Sequence, residues 1–237
     1  MRRWICVTLC CLVLFSVAAQ ANESGNGYAI RNQGYILVSS LIAYLDPYEK
    51  YTDPKYQAAY RQALTRLDGL STDPQVRATV IRIRGVIEEL ERQPLSEIQG
   101  SYEQWMTPAL EQHAELDKLG RHLQVQAVPH DQAITQLQQL SLLNSQMLLL
   151  YQARVAQLMG VNASFSGSSA LELDAEIVEL FGLLQKSHNQ WQELLGKLHR
   201  QYEFVRPQLV DGQRRAATGS VGFYLRGIVS GLNGLLD

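Results

Sequence analysis

The stretch QAITQLQQLSLLNSQMLLLYQARVAQLMG, residues 132–160, decides the fold, because it carries no charged side chain before Arg154. Its leucines recur at the three- and four-residue spacing of a helical stripe, and further apolar residues widen that stripe until little polar face remains. A membrane-spanning helix needs about 20 predominantly apolar residues, and glutamines interrupt any such run here. The sequence therefore predicts a central helix that other helices surround.

The polar groups of this central helix are amides and hydroxyls, and two interpretations of them stay open. Unpaired buried polar groups cost a few kcal/mol each, so Asn144 and Gln146 are expected either to pair across the bundle or to line a ligand pocket. Arg154 interrupts the apolar stripe near the end of the helix. It is expected either to hold an anion or a buried carboxylate, or to extend its charged group into solvent.

The first 21 residues have the features of a cleaved export signal. Two arginines follow Met1, an apolar run comes next, and Ala19-Gln20-Ala21 supplies a cleavage site with small residues at its first and third positions. All 3 cysteines of the chain lie inside this signal. We expect a periplasmic or secreted protein that has no disulfide after cleavage near Ala21.

The charge of the chain excludes some classes of partner. The sequence has 21 Lys and Arg against 23 Asp and Glu, and the export signal would remove two of the arginines. No basic stripe with interleaved aromatic residues is present, so we expect neither nucleic-acid binding nor strong attraction to anionic lipid. No membrane span is expected in the mature chain.

Capping residues predict where several helices begin. Asp53-Pro54 and Asp73-Pro74 each combine a side-chain oxygen cap with a ring that needs no amide hydrogen. Ser169 followed by Glu172 forms a capping box. Since β-branched residues are scattered and alternation is absent, we expect no strands. The pattern predicts an all-α, up-and-down bundle of about seven to eight helices.

Prolines predict where helices end. Asp46-Pro47 is expected to stop the first helix, Pro94 the helix that Asp73 opens, and Pro207 a helix in the second half. Thr107-Pro108 is expected to interrupt or restart a helix.

The two halves of the chain, 22–130 and 131–237, share a plan. In each half a helix poor in charge, 28–45 or 132–160, leads to a capped helix, an amphipathic helix and a proline stop. This order suggests two similar halves that arose by internal duplication. Coincidence is the alternative, because any helical bundle contains hairpins of comparable length.

The sequence contains no recognisable catalytic constellation. The 5 histidines form neither an H-x-x-x-H nor an E-x-x-H pair, and no phosphate-binding glycine loop or nucleophile elbow is present. His113 with Asp117, and His199 with Glu203, have the four-residue spacing of ordinary surface contacts on a helix. We expect no enzyme activity, no catalytic residue, no metal and no cofactor.

The first helix, AIRNQGYILVSSLIAYL, resembles a motif of the sequence A-I-N-x-A-G-x-x-R-M-x-S. This motif opens the extracytoplasmic sensor modules of type IV pili chemotaxis receptors and of nitrate- and nitrite-sensing histidine kinases. Ala29-Ile30, Gly34 and Ser40 match it, while Leu37 stands at the arginine position. The segment LLNSQMLLLYQARVAQLMG resembles a second, weaker copy.

The resemblance implies a periplasmic helical bundle that binds a small ligand or a pilus component and signals across the membrane. It does not imply nitrate binding, because Leu37 lacks the charge-assisted hydrogen bonds of the motif arginine. The chain resembles a stand-alone, secreted relative that acts through a membrane-receptor or envelope protein.

The two similar helices would form a paired spine, and its polar groups are the candidate ligand-binding residues: Ser40, Tyr44, Asn144, Gln146 and Arg154. The leading hypothesis is therefore a small-ligand-binding or accessory protein of a membrane signalling or pilus system. The alternative is a structural or interaction subunit of an envelope or secretion complex that binds no small ligand.

Overall fold

The computed structural model describes residues 26–48, 52–126, 131–156, 169–210 and 218–236. Within these ranges the regular structure is entirely helical, which confirms the predicted all-α class. The predicted export signal lies outside the described residues.

Among the described residues, the first half of the chain contains five helices: α1 (26–44), α2 (Pro54–Leu70), α3 (Pro74–Arg92), α4 (Leu95–Gly100) and α5 (Tyr102–Gln126). The described part of the second half contains four helices: α6 (Gln132–Val155), α7 (Ala170–Ser187), α8 (Gln192–Val210) and α9 (Thr218–Asn233). A short 3₁₀ turn precedes α8. The 3₁₀ turn covers Asn189–Trp191.

The predicted helix starts are confirmed by their capping hydrogen bonds. The Asp53 side chain accepts from the backbone N–H of Lys55, and the Asp73 side chain accepts from two backbone N–H groups of the first turn of α3. At the start of α7, Glu172 N–H donates to Ser169 Oγ and Ser169 N–H donates to the Glu172 carboxylate, at 3.2 and 2.6 Å. Each cap satisfies amide groups that a helix cannot pair internally.

Two prolines that were expected to end or interrupt helices lie inside them. α5 continues through Pro108, and α8 continues through Pro207 to Val210, so both predictions are wrong. A proline inside a helix removes one hydrogen bond and costs roughly 3 kcal/mol. Both helices persist because buried apolar side chains flank the proline, Ala109 in α5 and Leu209 in α8 being 0% and 1% exposed.

Helix α6 belongs to two hydrophobic cores. Leu142 and Leu149 pack into the core of α1–α5, whereas Leu137, Met147 and Tyr151 pack into the core that α6 forms with α7–α9. No residue from 140 to 156 is exposed. This confirms that α6 is a central helix, and the division of the chain into two similar halves stays a prediction.

Glycines let α1 and α5 approach closely near the start of α1. A Cβ atom on Gly27 would lie 2.7 Å from the backbone nitrogen of Gln124 and 2.8 Å from the carbonyl oxygen of Gly120. Only a residue without a side chain allows the two backbones to cross at this distance. The crossing fixes α1 against α5.

The glycine-containing final helix, α9, docks on α6 and α8. Its apolar side, which includes Leu225, Ile228 and Leu232, is fully buried in the second core. Among the described helices, none combines the length and the apolar character needed to cross a bilayer.

Candidate functional site

A cavity of about 460 Å³ lies where α1, α2, α6 and α9 meet, and it is partly open to solvent. α1 and α9 contribute seven of its residues: Gln33, Ile36, Ser40, Arg226, Val229, Ser230 and Asn233. A volume of this size lies within the usual range for small-ligand sites, which is roughly 300 to 1,000 Å³. The cavity therefore has room for a small organic molecule.

The α1 side of the cavity carries an unsatisfied hydroxyl group. Ser40 is 0% exposed, and its Oγ has no hydrogen-bond partner within the described part of the chain. The neighbouring Ser39 donates to the carbonyl oxygen of Ile36 at 3.2 Å and is satisfied. An unpaired buried hydroxyl costs about 1 to 3 kcal/mol, so Ser40 would gain from a partner that the described residues do not supply.

Helix α9 brings a guanidinium group to the cavity. Arg226 Nη2 donates to the Tyr56 hydroxyl at 2.8 Å, and the guanidinium carbon lies 4.2 Å from the centre of the Tyr56 ring. Arg226 Nη1 is buried and has no acceptor among the described residues. Burial lowers the pKa of Arg226 below its ordinary value.

Gly222, one turn before Arg226, makes room for this guanidinium. A Cβ atom at position 222 would lie 3.3 and 3.4 Å from the Arg226 guanidinium nitrogens and 2.6 Å from the Gln152 amide nitrogen. Long side chains on a helix lean toward its N-terminus, so the arginine covers the residue four positions earlier. The glycine thus allows the arginine to lie between α9, α6 and α2.

The described residues that line the cavity give it a positive character. They include Arg226 on α9 and Arg66 on α2, but neither Asp nor Glu. The carboxylate of Asp53 attracts Arg226 but forms its own ion pair with Lys55. No carboxylate among the described residues therefore pairs directly with the Arg226 guanidinium.

A buried polar network next to the cavity joins α1, α6 and α9. Asn32 donates to the Tyr28 hydroxyl and to Asn233 Oδ1 at 3.0 and 2.9 Å, and its own Oδ1 accepts from Ser145 Oγ at 2.5 Å. Ser141 Oγ donates to Asn233 Oδ1 at 2.7 Å. Because Asn233 also lines the cavity, this network fixes one of the cavity's walls.

The structure separates the residues predicted to bind a ligand. Ser40 lines the cavity described above, but Tyr44 lies at a second cavity of about 400 Å³ between α1, α2, α3 and α4. There its ring centre is 5.7 Å from that of Tyr60, whose hydroxyl donates to Glu91 at 2.7 Å.

The three candidates on α6 pair with protein groups. Asn144 Nδ2 donates to the carbonyl oxygen of Leu140 at 2.8 Å, and Gln146 Nε2 donates to the Tyr35 hydroxyl at 3.3 Å. Arg154 donates to the last carbonyl groups of α8, at 2.6 and 3.0 Å. A cation at this position stabilises the C-terminus of α8, so Arg154 holds two carbonyl oxygens rather than an anion.

A second polar cluster lies between α1 and α5. Arg31 donates to Asp117 Oδ1 and to Gln124 Oε1, both at 2.8 Å. His113 packs edge-on against Tyr35 with ring centres 4.5 Å apart. The interpretation of His113 and Asp117 as surface residues is wrong, because they are 1% and 4% exposed. Burial lowers the pKa of His113 to about 4.

Sequence reasoning missed Arg226, Gln33 and the α2 residues of the cavity. Gly222 and Arg226 lie one turn apart in a helix with few charges, but this pattern alone does not distinguish a buried arginine from an exposed one. The described ranges contain no group of three His, Cys, Asp or Glu that could hold a metal ion.

Leu37, which stands at the arginine position of the sensor-module motif, is 0% exposed in the core of α1–α5. The similarity to sensor modules stays a prediction. Comparison with known proteins found no matching family model, no matching curated protein and no matching solved structure.

Proposed function

We propose that the protein binds a small ligand in the cavity between α1, α2, α6 and α9, and that it acts extracytoplasmically as a sensor or accessory protein. The supporting observation is the cavity itself, where Ser40 and Arg226 each keep a buried polar group without a partner among the described residues. Buried polar groups are normally satisfied, so a ligand that satisfies either group would bind with a gain in stability.

Occlusion of the cavity tests this function. Ala59 lines the cavity, and Ala58 is the neighbouring exposed residue on the same helix. Ala59→Trp should fill the opening and abolish ligand-induced thermal stabilisation of the purified protein, whereas Ala58→Trp should preserve it. The screen covers small organic acids, amines, amides and sugars. Absence of stabilisation by every compound, or equal stabilisation of both variants, would refute the proposal.

An interaction subunit is the second candidate function, and an exposed aromatic patch favours it. Phe204 on α8 and Phe223 on α9 are each 63% exposed, and their ring centres lie 5.2 and 5.6 Å from that of Tyr224. Contiguous exposed aromatic groups are typical of protein-binding surfaces. Phe204→Ser combined with Phe223→Ser should abolish cross-linking in cells to one large assembly, without any change in ligand response.

A further inference from the structure

The charge and the walls of the cavity define the class of ligand. We infer that the cavity binds a small organic carboxylate, with its carboxylate group on Arg226 and its aliphatic part against the apolar wall. This inference rests on the proposed function and specifies the chemistry of the same site.

The charges support an anionic head group. A buried charge is costly unless it is paired and hydrogen-bonded. Arg226 has a tyrosine hydroxyl and ring as its partners, and its Nη1 donor is unused. Arg66 adds a second positive charge at the opening, since it is exposed and lines the same cavity. An amine ligand would be repelled by both guanidinium groups, whereas a carboxylate would neutralise the buried one.

The geometry of Arg226 suits a carboxylate in particular. Its guanidinium is held between Gly222 on its own helix and the ring of Tyr56 on α2. A planar guanidinium fixed in this way presents donors in a fork that matches a carboxylate, and such charge-assisted bonds are about twice as strong as neutral ones.

The apolar part of the lining favours an organic body over an inorganic ion. Ile36, Ala63, Leu148 and Val229 line the cavity, and the last three of them are buried. An inorganic ion would leave most of this apolar wall hydrated. An aliphatic chain would instead cover it and gain the hydrophobic contribution of its buried surface.

The experiment compares ligands that differ only in the head group. Butanoate, hexanoate and octanoate, each alongside its amide and its amine, are titrated into the purified protein at constant ionic strength, with sodium nitrate as the inorganic probe. Titration calorimetry and thermal stabilisation are the readouts. At least one carboxylate should bind about tenfold or more tightly than its amide, and its amine should not bind.

Two arginine variants test whether Arg226 holds the carboxylate group. Arg226→Gln should weaken binding of that carboxylate at least about tenfold, while Arg92→Gln, the same change at an exposed residue of α3, should have no effect. The comparison of head groups on the unaltered protein keeps the test decisive if Arg226→Gln does not fold.

Four results would overturn the inference. They are equal binding of carboxylate and amide, preference for the amine, binding of nitrate alone, or equal loss in the two arginine variants. Each of these leaves the proposed function intact if Ala59→Trp still blocks the compound that binds. Failure of all compounds in the wider screen would instead refute the proposed function itself.

Discussion

Two buried asparagines on the paired helices α1 and α6 should differ sharply in their contribution to stability. Asn32 and Asn144 are 2% and 0% exposed, and both lie inside helices. Asn32 makes three short hydrogen bonds, at 3.0, 2.9 and 2.5 Å, and a longer one of 3.5 Å to Ser141, within the network that joins α1, α6 and α9. Asn144 donates only to the carbonyl oxygen of Leu140 in its own helix, and its Oδ1 has no partner in the described part of the chain.

The expected difference in the free energy of unfolding follows from these hydrogen bonds. A buried hydrogen bond contributes about 1 kcal/mol net, so Asn32→Ala should lower the free energy of unfolding by about 3 kcal/mol through lost bonds. Asn144→Ala removes one bond to an occupied backbone carbonyl together with an unsatisfied oxygen, and these effects should nearly cancel. Both substitutions delete the same atoms and make the same change in helix propensity, so the cavity and propensity effects largely cancel in the comparison.

Urea denaturation of the chain from Asn22 onward, followed by far-UV circular dichroism at neutral pH, measures the difference. Asn32→Ala should be less stable than Asn144→Ala by about 2 to 3 kcal/mol, with unchanged slopes of the transitions. A difference below about 1 kcal/mol, or greater destabilisation by Asn144→Ala, would show that the network contributes no net stability and that our reasoning is wrong.

Three further predictions concern pH, a helix crossing and an ion pair. Burial lowers the pKa of His113 to about 4 in the folded protein, whereas a histidine in the unfolded chain has a pKa near 6.5. The unfolded state therefore binds this proton first as the pH falls, and the free energy of unfolding should decrease by about 2 kcal/mol from pH 7 to pH 5. His113→Leu should remove most of this decrease in urea titrations at the two pH values. Gly27→Ala should destabilise the protein, because its Cβ would clash with the backbone of α5. Gly85 faces open space, so Gly85→Ala should stabilise the protein by about 0.5 to 1 kcal/mol. Thermal denaturation that shifts the stability of both variants in the same direction would contradict the prediction. Asp174 is 5% exposed and accepts three hydrogen bonds from the Arg206 guanidinium and one from the Tyr202 hydroxyl. Asp174→Ala should therefore lower the free energy of unfolding by about 2 kcal/mol, and the exposed control Arg92→Ala should lower it by less than about 0.5 kcal/mol, in the same assay.

The parts of the fold that could be predicted from sequence are those set by local chemistry. Asp53, Asp73 and Ser169 begin helices because their side-chain oxygens bond to amide groups two or three residues away. The burial of α6 follows from its lack of charge. Pro108 and Pro207 were misjudged because the packing of distant helices outweighs a local cost that the sequence does show.

The candidate site was only partly predictable, for a related reason. Ser40 could be named from the sequence because it is a polar residue in an otherwise apolar segment of α1 and matches the motif. Arg226 could not, since a single arginine in a helix has the same local pattern whether it lies in solvent or against another helix. Only the packing of Tyr56 on the guanidinium shows that this arginine is buried.

The buried polar network that joins α1, α6 and α9 links the stability of the fold to the position of the cavity. Asn233 and Arg226 lie seven residues apart on α9, so they share one face of that helix. Asn233 is bonded to α1 and α6, and Arg226 is held against α2. The bonds of Asn233 therefore set the position of α9 from which Arg226 reaches the cavity. Loss of Asn32 should lower stability and weaken ligand binding together. Arg226→Gln should act mainly on binding, because it removes the group that contacts the ligand and breaks, among the described hydrogen bonds, the single one to Tyr56.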